Sequence, residues 1–127
     1  MVVSASLTIH EWGVGNGNLA ARFLAHLQAL DRDARIYPRV RYVMVDNQET
    51  TLNAARRHPD LALHTDRLST LLGDVTSALD APDGSVDRIL CNELWNDLAT
   101  KLMLRKAAEI EEEFVRPNLS EEKHDAI

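Results

Sequence analysis

The fold is decided by residues 11–18, EWGVGNGN, in which glycine recurs at every second position from Gly13 to Gly17. The residues before this stretch, Ser6–Trp12 (SLTIHEW), alternate apolar and polar side chains, which predicts a β-strand that runs into a glycine turn. The residues after it carry apolar side chains at helical spacing from about Asn18 to Leu30. The pattern therefore predicts a strand, a glycine turn and a helix in succession.

The alternation of strand and helix continues beyond residue 30. Val40–Val45 (VRYVMV) is apolar and β-branched enough for a buried strand, which ends at Asp46. A second helix is predicted near Glu49–Arg57, with Asn47 as its N-cap. Residues Ser69–Leu72 favour a third strand, although the leucines of this region also fit a helical turn.

The last predicted elements are a fourth strand and a long helix. Val86–Cys91 (VDRILC) predicts the strand, and an apolar stripe at helical spacing predicts a helix from about residue 98 to residue 115, with Met103, Ala107, Ile110 and Phe114 on one face. Strands that alternate with helices predict a Rossmann-like three-layer α/β sandwich with a mostly parallel sheet. We expect residues 1–117 to form this core and residues 118–127 to form a polar tail.

Composition excludes several classes of function. A formal net charge of -6 argues against a protein that attracts nucleic acid by bulk charge. The single cysteine, Cys91, excludes an internal disulfide framework, and the five histidines have no metal-ligand spacing, so we expect no metal site. No apolar run is long enough to cross a bilayer, and the first residues lack the features of a signal peptide. We therefore expect a cytoplasmic protein without a membrane partner.

The spacing of the glycines narrows the kind of ligand that the turn would hold. A dinucleotide fingerprint has the form GxGxxG, whereas here the glycines fall as GxGxG and the sixth position is Asn18, which argues against a nicotinamide oxidoreductase. Asp46 ends the second predicted strand, where a carboxylate can accept both hydroxyls of a ribose. Glycines in a turn and an aspartate after a strand also occur for purely structural reasons, so the structural alternative stays open at this point.

The turn EWGVGNGN, the strand end VMVD at residues 43–46 and the later CNELWNDL at residues 91–98 resemble class I S-adenosylmethionine-dependent methyltransferases. The resemblance is closest to the MidA-like group, which includes the mitochondrial complex I assembly methyltransferase. It implies that the cofactor is S-adenosylmethionine and that the methyl acceptor is a protein arginine. The cofactor-binding positions that it implies are Glu11, Gly13, Gly15, Gly17, Asp46, Asn47, Gly73 and Asp74. For Asp74, a role as a turn carboxylate is an equal alternative.

The same resemblance implies catalytic roles for Asn92 and Glu93 at the end of the fourth strand. Glu93 would hold or deprotonate a guanidinium, and the amide of Asn92 would orient the substrate. The structural alternative is that Asn92 caps a following helix and Glu93 supports its first turn. The chain departs from the family pattern at Asn96, where the family has aspartate, and at Ala99, where it has proline.

The resembled family folds as a seven-stranded sheet, whereas this sequence supplies about four predicted strands. We therefore expect a truncated version of that fold, which contains the cofactor-binding core. The alternative function is a catalytically inactive binding or assembly module. The fourth strand is interior in the family, and its apolar residues predict that an exposed sheet edge pairs with a second copy to form a homodimer. In the competing arrangement, the helix near residues 98–115 covers that edge.

Overall fold

A computed structural model describes residues 5–92, 94, 98 and 102–113 of this 127-residue chain. The chain divides into two compact units, Met1–Asn96 and Asp97–Ile127. In the described residues, the first unit contains a four-stranded parallel sheet with two α-helices, and the second contains a two-stranded antiparallel hairpin. The predicted α/β class, with a parallel Rossmann-like sheet, is confirmed. The predicted polar tail at residues 118–127 lies outside the described residues.

The first unit follows the predicted order of elements closely. The first helix and the second and third strands fall within one residue of their predicted bounds, and the fourth strand begins two residues later than predicted. The strands are β1 (Leu7–Trp12), β2 (Val40–Asp46), β3 (Leu68–Leu72) and β4 (Arg88–Cys91), and the α-helices are α1 (Asn18–Leu30) and α2 (Glu49–Arg56). Short 3-10 helices occupy Tyr37–Arg39 and Pro59–Arg67.

The strands of the sheet lie in the order β3-β2-β1-β4, and all neighbours are parallel. The register pairs His10 of β1 with Val43 of β2 and with Ile89 of β4. Because all four strands point the same way, their carboxyl ends meet at one edge of the sheet. The chain moves outward from β1 to β2 and β3 and then returns to the other side of β1, so the strand order reverses between β1 and β4.

One face of the sheet holds the main apolar core. Tyr42 and Met44 of β2 lie on this face and are fully buried, and Leu24 of α1 is buried against it. The ring of Phe23 lies 5.6 Å from that of Tyr42, measured between centroids. Burying each such large apolar side chain contributes about 1.5–3 kcal/mol. This packing fixes α1, and therefore the glycine turn that precedes it, against the sheet.

On the opposite face of the sheet, an irregular connection between β3 and β4 packs near the strands. His10, Trp12 and Ile89 lie on this face, because side chains alternate along each strand. The connection between β3 and β4, residues 73–87, contains neither helix nor strand, and several of its residues line a pocket together with these three side chains. Hydrogen bonds from the Asp87 amide to the Thr8 carbonyl and from the Thr8 amide to Asp87 Oδ2 attach the end of this connection to β1.

The prediction of a helix near residues 98–115 is wrong for the residues that the structure describes there. The second unit instead has β5 (Leu102–Lys106) and β6 (Glu109–Glu113), which pair through a two-residue turn at Ala107 and Ala108. Ala107 has a φ of 52°, as a tight hairpin requires. The antiparallel register sets Arg105 opposite Ile110 and Met103 opposite Glu112. In this hairpin, pairing between the two strands therefore overrides the helical propensity of the Leu, Lys, Ala and Glu residues.

We expect Gly17→Ala to destabilise the first unit much more than Gly15→Ala. Gly17 has a φ of 87°, and an added Cβ would lie 2.7 Å from the Ala55 carbonyl oxygen of α2. At Gly15 an added Cβ would meet no atom of the described residues within 4 Å, its two chain neighbours aside. Gly15→Ala should lower the free energy of unfolding by about 1 kcal/mol, because alanine is strained in the left-handed backbone conformation. Gly17→Ala has the same strain and a clash with the backbone of α2, so it should lower the free energy of unfolding by about 2–4 kcal/mol. Urea unfolding of the two variants measures the difference, and equal losses would contradict the close approach of α2 to the turn.

Candidate functional site at the carboxyl edge of the sheet

The candidate site lies where the strand order reverses. The glycine turn follows β1, and Asn92 follows β4, which is the neighbour of β1 on the other side. In open parallel sheets, the crevice at this reversal is the usual place for a ligand, because the loops on its two sides diverge. Leu94 contacts the turn closely, since an added Cβ on Gly13 would lie 3.0 Å from Leu94 Cδ1. Leu94, three residues after the end of β4, therefore lies beside the glycine turn.

Asp46 joins three loops at this edge. Its Oδ2 accepts a hydrogen bond from the Val14 amide at 3.3 Å, which holds the glycine turn. Its Oδ1 accepts one from the Gln48 amide at 3.0 Å, at the start of α2. Its backbone carbonyl accepts one from the Gly73 amide at 3.0 Å, after β3. Asp46 thus fixes the loops after β1, β2 and β3 relative to one another.

Asn47 is not the N-cap of α2, contrary to the prediction. Gln48 is the N-cap, without a side-chain capping bond, and Asn47 is an exposed residue between Asp46 and the helix. The physical reason is that the Asp46 carboxylate already accepts from the Gln48 amide and sets the entry to the helix. Asp46, rather than Asn47, therefore makes the side-chain hydrogen bond at the entry to α2, to the amide of the N-cap residue.

In the described part of the chain, the glycine turn contains both paired and unpaired backbone amides. The amides of Gly13 and Val14 donate to the Val45 carbonyl and to Asp46, respectively. The amides of Gly15 and Asn16 have no acceptor among the described residues. Both residues are exposed, and they lie just before the N-terminus of α1, where the helix dipole favours an anionic group. The turn can therefore bind a carboxylate or a similar anion.

The remaining candidate positions are more dispersed. Asp74 is exposed, and its Oδ1 accepts from both the amide and the hydroxyl of Thr76, at 2.9 and 2.6 Å. These bonds lower the pKa of the Asp74 carboxyl and match its alternative role as a turn carboxylate. Gly73 joins Asp46 through its amide, and Asn92 is exposed at the end of β4. Glu93 lies outside the described residues.

Glu11 lies in β1 rather than in the exposed part of the turn. Its side chain is only 2% exposed, and it shares the core face with Tyr42, whose hydroxyl donates to Glu11 Oε1 at 2.7 Å. Burial raises the pKa of Glu11 to about 7, although the bond from Tyr42 opposes this change. Burial also raises the pKa of Tyr42. Glu11 is therefore a core carboxyl that titrates near neutral pH.

Two polar residues of this region did not emerge from the sequence as candidates. His10 and Trp12 flank Glu11 in β1 but lie on the opposite face, and His10 Nδ1 and Trp12 Nε1 are buried with no hydrogen-bond partner in the described part of the chain. The alternation of Ser6–Trp12 already separated them from Glu11. No sequence signal showed that their polar atoms would lack partners.

Neither a metal cluster nor a membrane helix occurs in the residues that the structure describes. No group of three or more His, Cys, Asp or Glu side chains is arranged to hold a metal ion there, and no helix there is both long and apolar enough to cross a bilayer. In comparisons with known proteins, no family model and no curated protein sequence matches this chain.

We expect the stability of the protein to fall as the pH rises through the titration of Glu11, and Glu11→Gln to remove this dependence. The folded pKa of about 7 is above the usual value of 4.5, so the folded state binds more protons between these values and loses that advantage as the pH rises. From about pH 5 to about pH 8 the loss amounts to about 2–3 kcal/mol. Urea unfolding across this range, compared between the wild type and the variant, measures it.

An exposed carboxylate provides the control for this comparison. Asp66 is exposed in the 3-10 helix at Pro59–Arg67, and Asp66→Asn makes the same carboxylate-to-amide change outside the core. This control should keep the wild-type slope of stability against pH. Contributions from other groups, such as His10, whose pKa burial lowers, are common to all three proteins and cancel. An unchanged slope in Glu11→Gln would show that Glu11 titrates as an ordinary surface carboxyl.

Proposed function

We propose that the carboxyl edge of the sheet binds S-adenosylmethionine and that the first unit is the cofactor-binding core of a methyltransferase. The observation that carries this proposal is the position of Asp46, which bonds to the Val14 amide of the glycine turn although the two residues are 32 positions apart in the sequence. The fold thereby brings together Asp46, which can accept hydrogen bonds from ribose hydroxyls, and the glycine turn, whose amides can donate to a carboxylate.

The donors and acceptors at this edge suit the two ends of such a cofactor. Each Asp46 oxygen accepts one backbone amide and, with two lone pairs, keeps capacity for one ribose hydroxyl. The free amides of Gly15 and Asn16, together with the N-terminus of α1, suit the carboxylate of the methionyl group. Apart from Gly15 and its two chain neighbours, no described residue has an atom within 4 Å of the position of a Cβ on Gly15.

S-adenosylmethionine supplies an electrophilic methyl group bonded to a sulfonium. Because its transfer is an in-line displacement, the protein chiefly orients the acceptor and excludes water. By the resemblance, we propose an arginine side chain of another protein as the acceptor, with Asn92 orienting it and Glu93 holding the guanidinium. The exposed position of Asn92 beside the crevice supports its part in this proposal.

We expect the protein to bind S-adenosylmethionine and S-adenosylhomocysteine in isothermal titration, and Gly15→Val to abolish binding. A branched side chain at this exposed position occupies the space that the cofactor needs. Gly84→Val is the matched control, because Gly84 also has a positive φ, 74°, with nothing within 4 Å of an added Cβ, yet lies outside the site. No heat from folded wild-type protein, or equal weakening by both variants, would refute the assignment.

We expect Asp46→Ala to weaken binding of the same ligands by about 1.5–3 kcal/mol, roughly tenfold to a hundredfold, since it removes charge-assisted hydrogen bonds to the ribose. Because Asp46 also holds the turn, urea unfolding must show that the variant is folded, and Asp66→Ala is the control for loss of a carboxylate. An unchanged dissociation constant would remove Asp46 from the site. Cofactor binding without methyl transfer to any protein would instead favour the alternative of an inactive binding module.

We also propose that two copies of the chain pair through β4. In the described residues, β4 lies at the end of the sheet and bonds only to β1, and it contains neither lysine nor proline to discourage pairing. Ile89 is 48% exposed on this strand. A closed two-fold dimer is the commonest arrangement that satisfies such an edge.

Light scattering over a concentration series tests this pairing. We expect the average mass to rise from that of one chain, 14.2 kDa, toward twice that value as the concentration increases. A mass that stays at one chain up to hundreds of micromolar protein would show that the edge is covered.

A further inference from the structure

A hydrogen bond between His58 and Asn18 joins the residues just after α2 to the first residue of α1. His58 Nε2 lies 2.7 Å from Asn18 Oδ1, although the two residues are 40 positions apart in the sequence. Asn18 directly follows Gly17, the last glycine of the turn, and it occupies the position at which the sequence departs from the dinucleotide fingerprint. The bond therefore acts at the point where the glycine turn becomes a helix.

The ring of His58 is held by a second hydrogen bond. The amide of Asp60 donates to His58 Nδ1 at 3.1 Å, which makes His58 the N-cap of the 3-10 helix at Pro59–Arg67. Because Nδ1 is an acceptor, the hydrogen of the neutral ring is on Nε2, which therefore donates to Asn18 Oδ1. One nitrogen of the ring thus caps the 3-10 helix, and the other holds the start of α1.

The segment that ends at His58 also contacts the last glycine of the turn. An added Cβ on Gly17 would lie 2.7 Å from the Ala55 carbonyl oxygen, so the two backbones approach each other closely. The same carbonyl accepts a hydrogen bond from the His58 amide at 3.1 Å. Gly17 and Asn18 are therefore both held by contacts with residues 55–58.

Asn18 is connected in turn to the backbone amides that the proposed function assigns to the cofactor carboxylate. The Asn18 amide donates to Asn16 Oδ1 at 3.1 Å. The backbone amide of Asn16, like that of Gly15, has no acceptor among the described residues. Donors that bind a ligand must be held to within about 0.5 Å of the productive geometry, usually by the hydrogen bonds of supporting residues. The series His58, Asn18 and Asn16 is such a support.

We propose that His58 is a positioning residue for the amino-acid end of the cofactor and that it acts through Asn18 on the amides of Gly15 and Asn16. This inference rests on the proposed function. Asp46 would bind the ribose, and the bond between His58 and Asn18 would set the donors for the carboxylate. Loss of this bond should therefore weaken ligands that contain the amino-acid group and spare ligands that lack it.

A purely structural role for His58 leads to a different expectation. Asn18 is exposed and His58 is half-buried, so water competes for both groups and the bond contributes little to the stability of the fold. If the bond only stabilised the first unit, its loss would affect every ligand of the site equally. The selectivity between two ligands therefore separates the two roles.

Two substitutions of His58 separate its two hydrogen bonds. His58→Asn keeps a side-chain oxygen that can cap the 3-10 helix, since asparagine is a favoured N-cap residue, but its side chain is too short to reach Asn18. His58→Gln has an amide nitrogen about as far from the backbone as Nε2, so it can still donate to Asn18 Oδ1. His26→Asn makes the first of these changes at an exposed position of α1 and is the matched control.

The full chain is titrated with S-adenosylhomocysteine and with methylthioadenosine, which has the same nucleoside and a thioether but no amino-acid group. We expect His58→Asn to weaken binding of S-adenosylhomocysteine about three- to tenfold and to change binding of methylthioadenosine by less than about twofold. His58→Gln should restore the affinity for S-adenosylhomocysteine to within about twofold of the wild type, and His26→Asn should leave both affinities unchanged.

Asn18→Ala tests the partner of the bond and replaces His58→Asn if urea unfolding shows that variant to be unfolded. It should weaken S-adenosylhomocysteine by a similar factor and spare methylthioadenosine, and combining it with His58→Asn should cause no further loss, because both changes remove one bond.

Several results would overturn the proposal: an unchanged affinity for S-adenosylhomocysteine, equal weakening of both ligands, additive losses in the double variant, or a wild type that binds S-adenosylhomocysteine but not methylthioadenosine. A folded wild type that binds neither ligand would refute the proposed function itself, and this inference with it.

Discussion

The arrangement of the site depends on the hydrogen bonds of Asp46. Parallel pairing of β1, β2 and β3 brings the carboxyl ends of the strands to one edge, but pairing alone leaves the loops beyond them free. Through its two carboxylate oxygens and its backbone carbonyl, Asp46 bonds to the amides of Val14, Gln48 and Gly73, one in each of the loops that follow these strands. The open glycine turn keeps its shape because this one residue anchors it.

The two faces of the sheet differ in what covers them and in whether their buried polar groups have hydrogen-bond partners. On one face, α1 and α2 cover a continuous apolar core, and the buried carboxyl of Glu11 is tolerated because Tyr42 donates to it and because its raised pKa lets it become neutral. On the other face, an irregular connection replaces a helix, and His10 and Trp12 keep unpaired polar atoms beside a pocket. Burial of a polar group is thus compensated by a neighbouring side chain on the first face, whereas on the second face the described residues provide no partner for these two atoms.

The sequence predicted the elements with strong periodicity and missed those that depend on tertiary context. α1 was predicted with its observed bounds and β2 to within one residue, because the apolar pattern of each segment is clear. The segment that contains β5 and β6 was predicted as a helix, because Leu, Lys, Ala and Glu favour helices and the apolar residues fit a spacing of three to four. In the site, the proximity of Asp46 to the turn was predictable from parallel strands, whereas the contact of Glu11 with Tyr42 depended on which face each residue occupies in the final register.

The most direct test of the role of the carboxyl edge is to titrate nitrogen-15-labelled protein with S-adenosylhomocysteine and to map the backbone amides that respond. We expect saturable shifts concentrated at residues 13–17, 46–48 and 73–74, the segments that Asp46 holds together. The largest changes should fall on the amides of Gly15 and Asn16, which have no acceptor among the described residues. Spectra that do not change, or shifts confined to residues outside this edge, would contradict it.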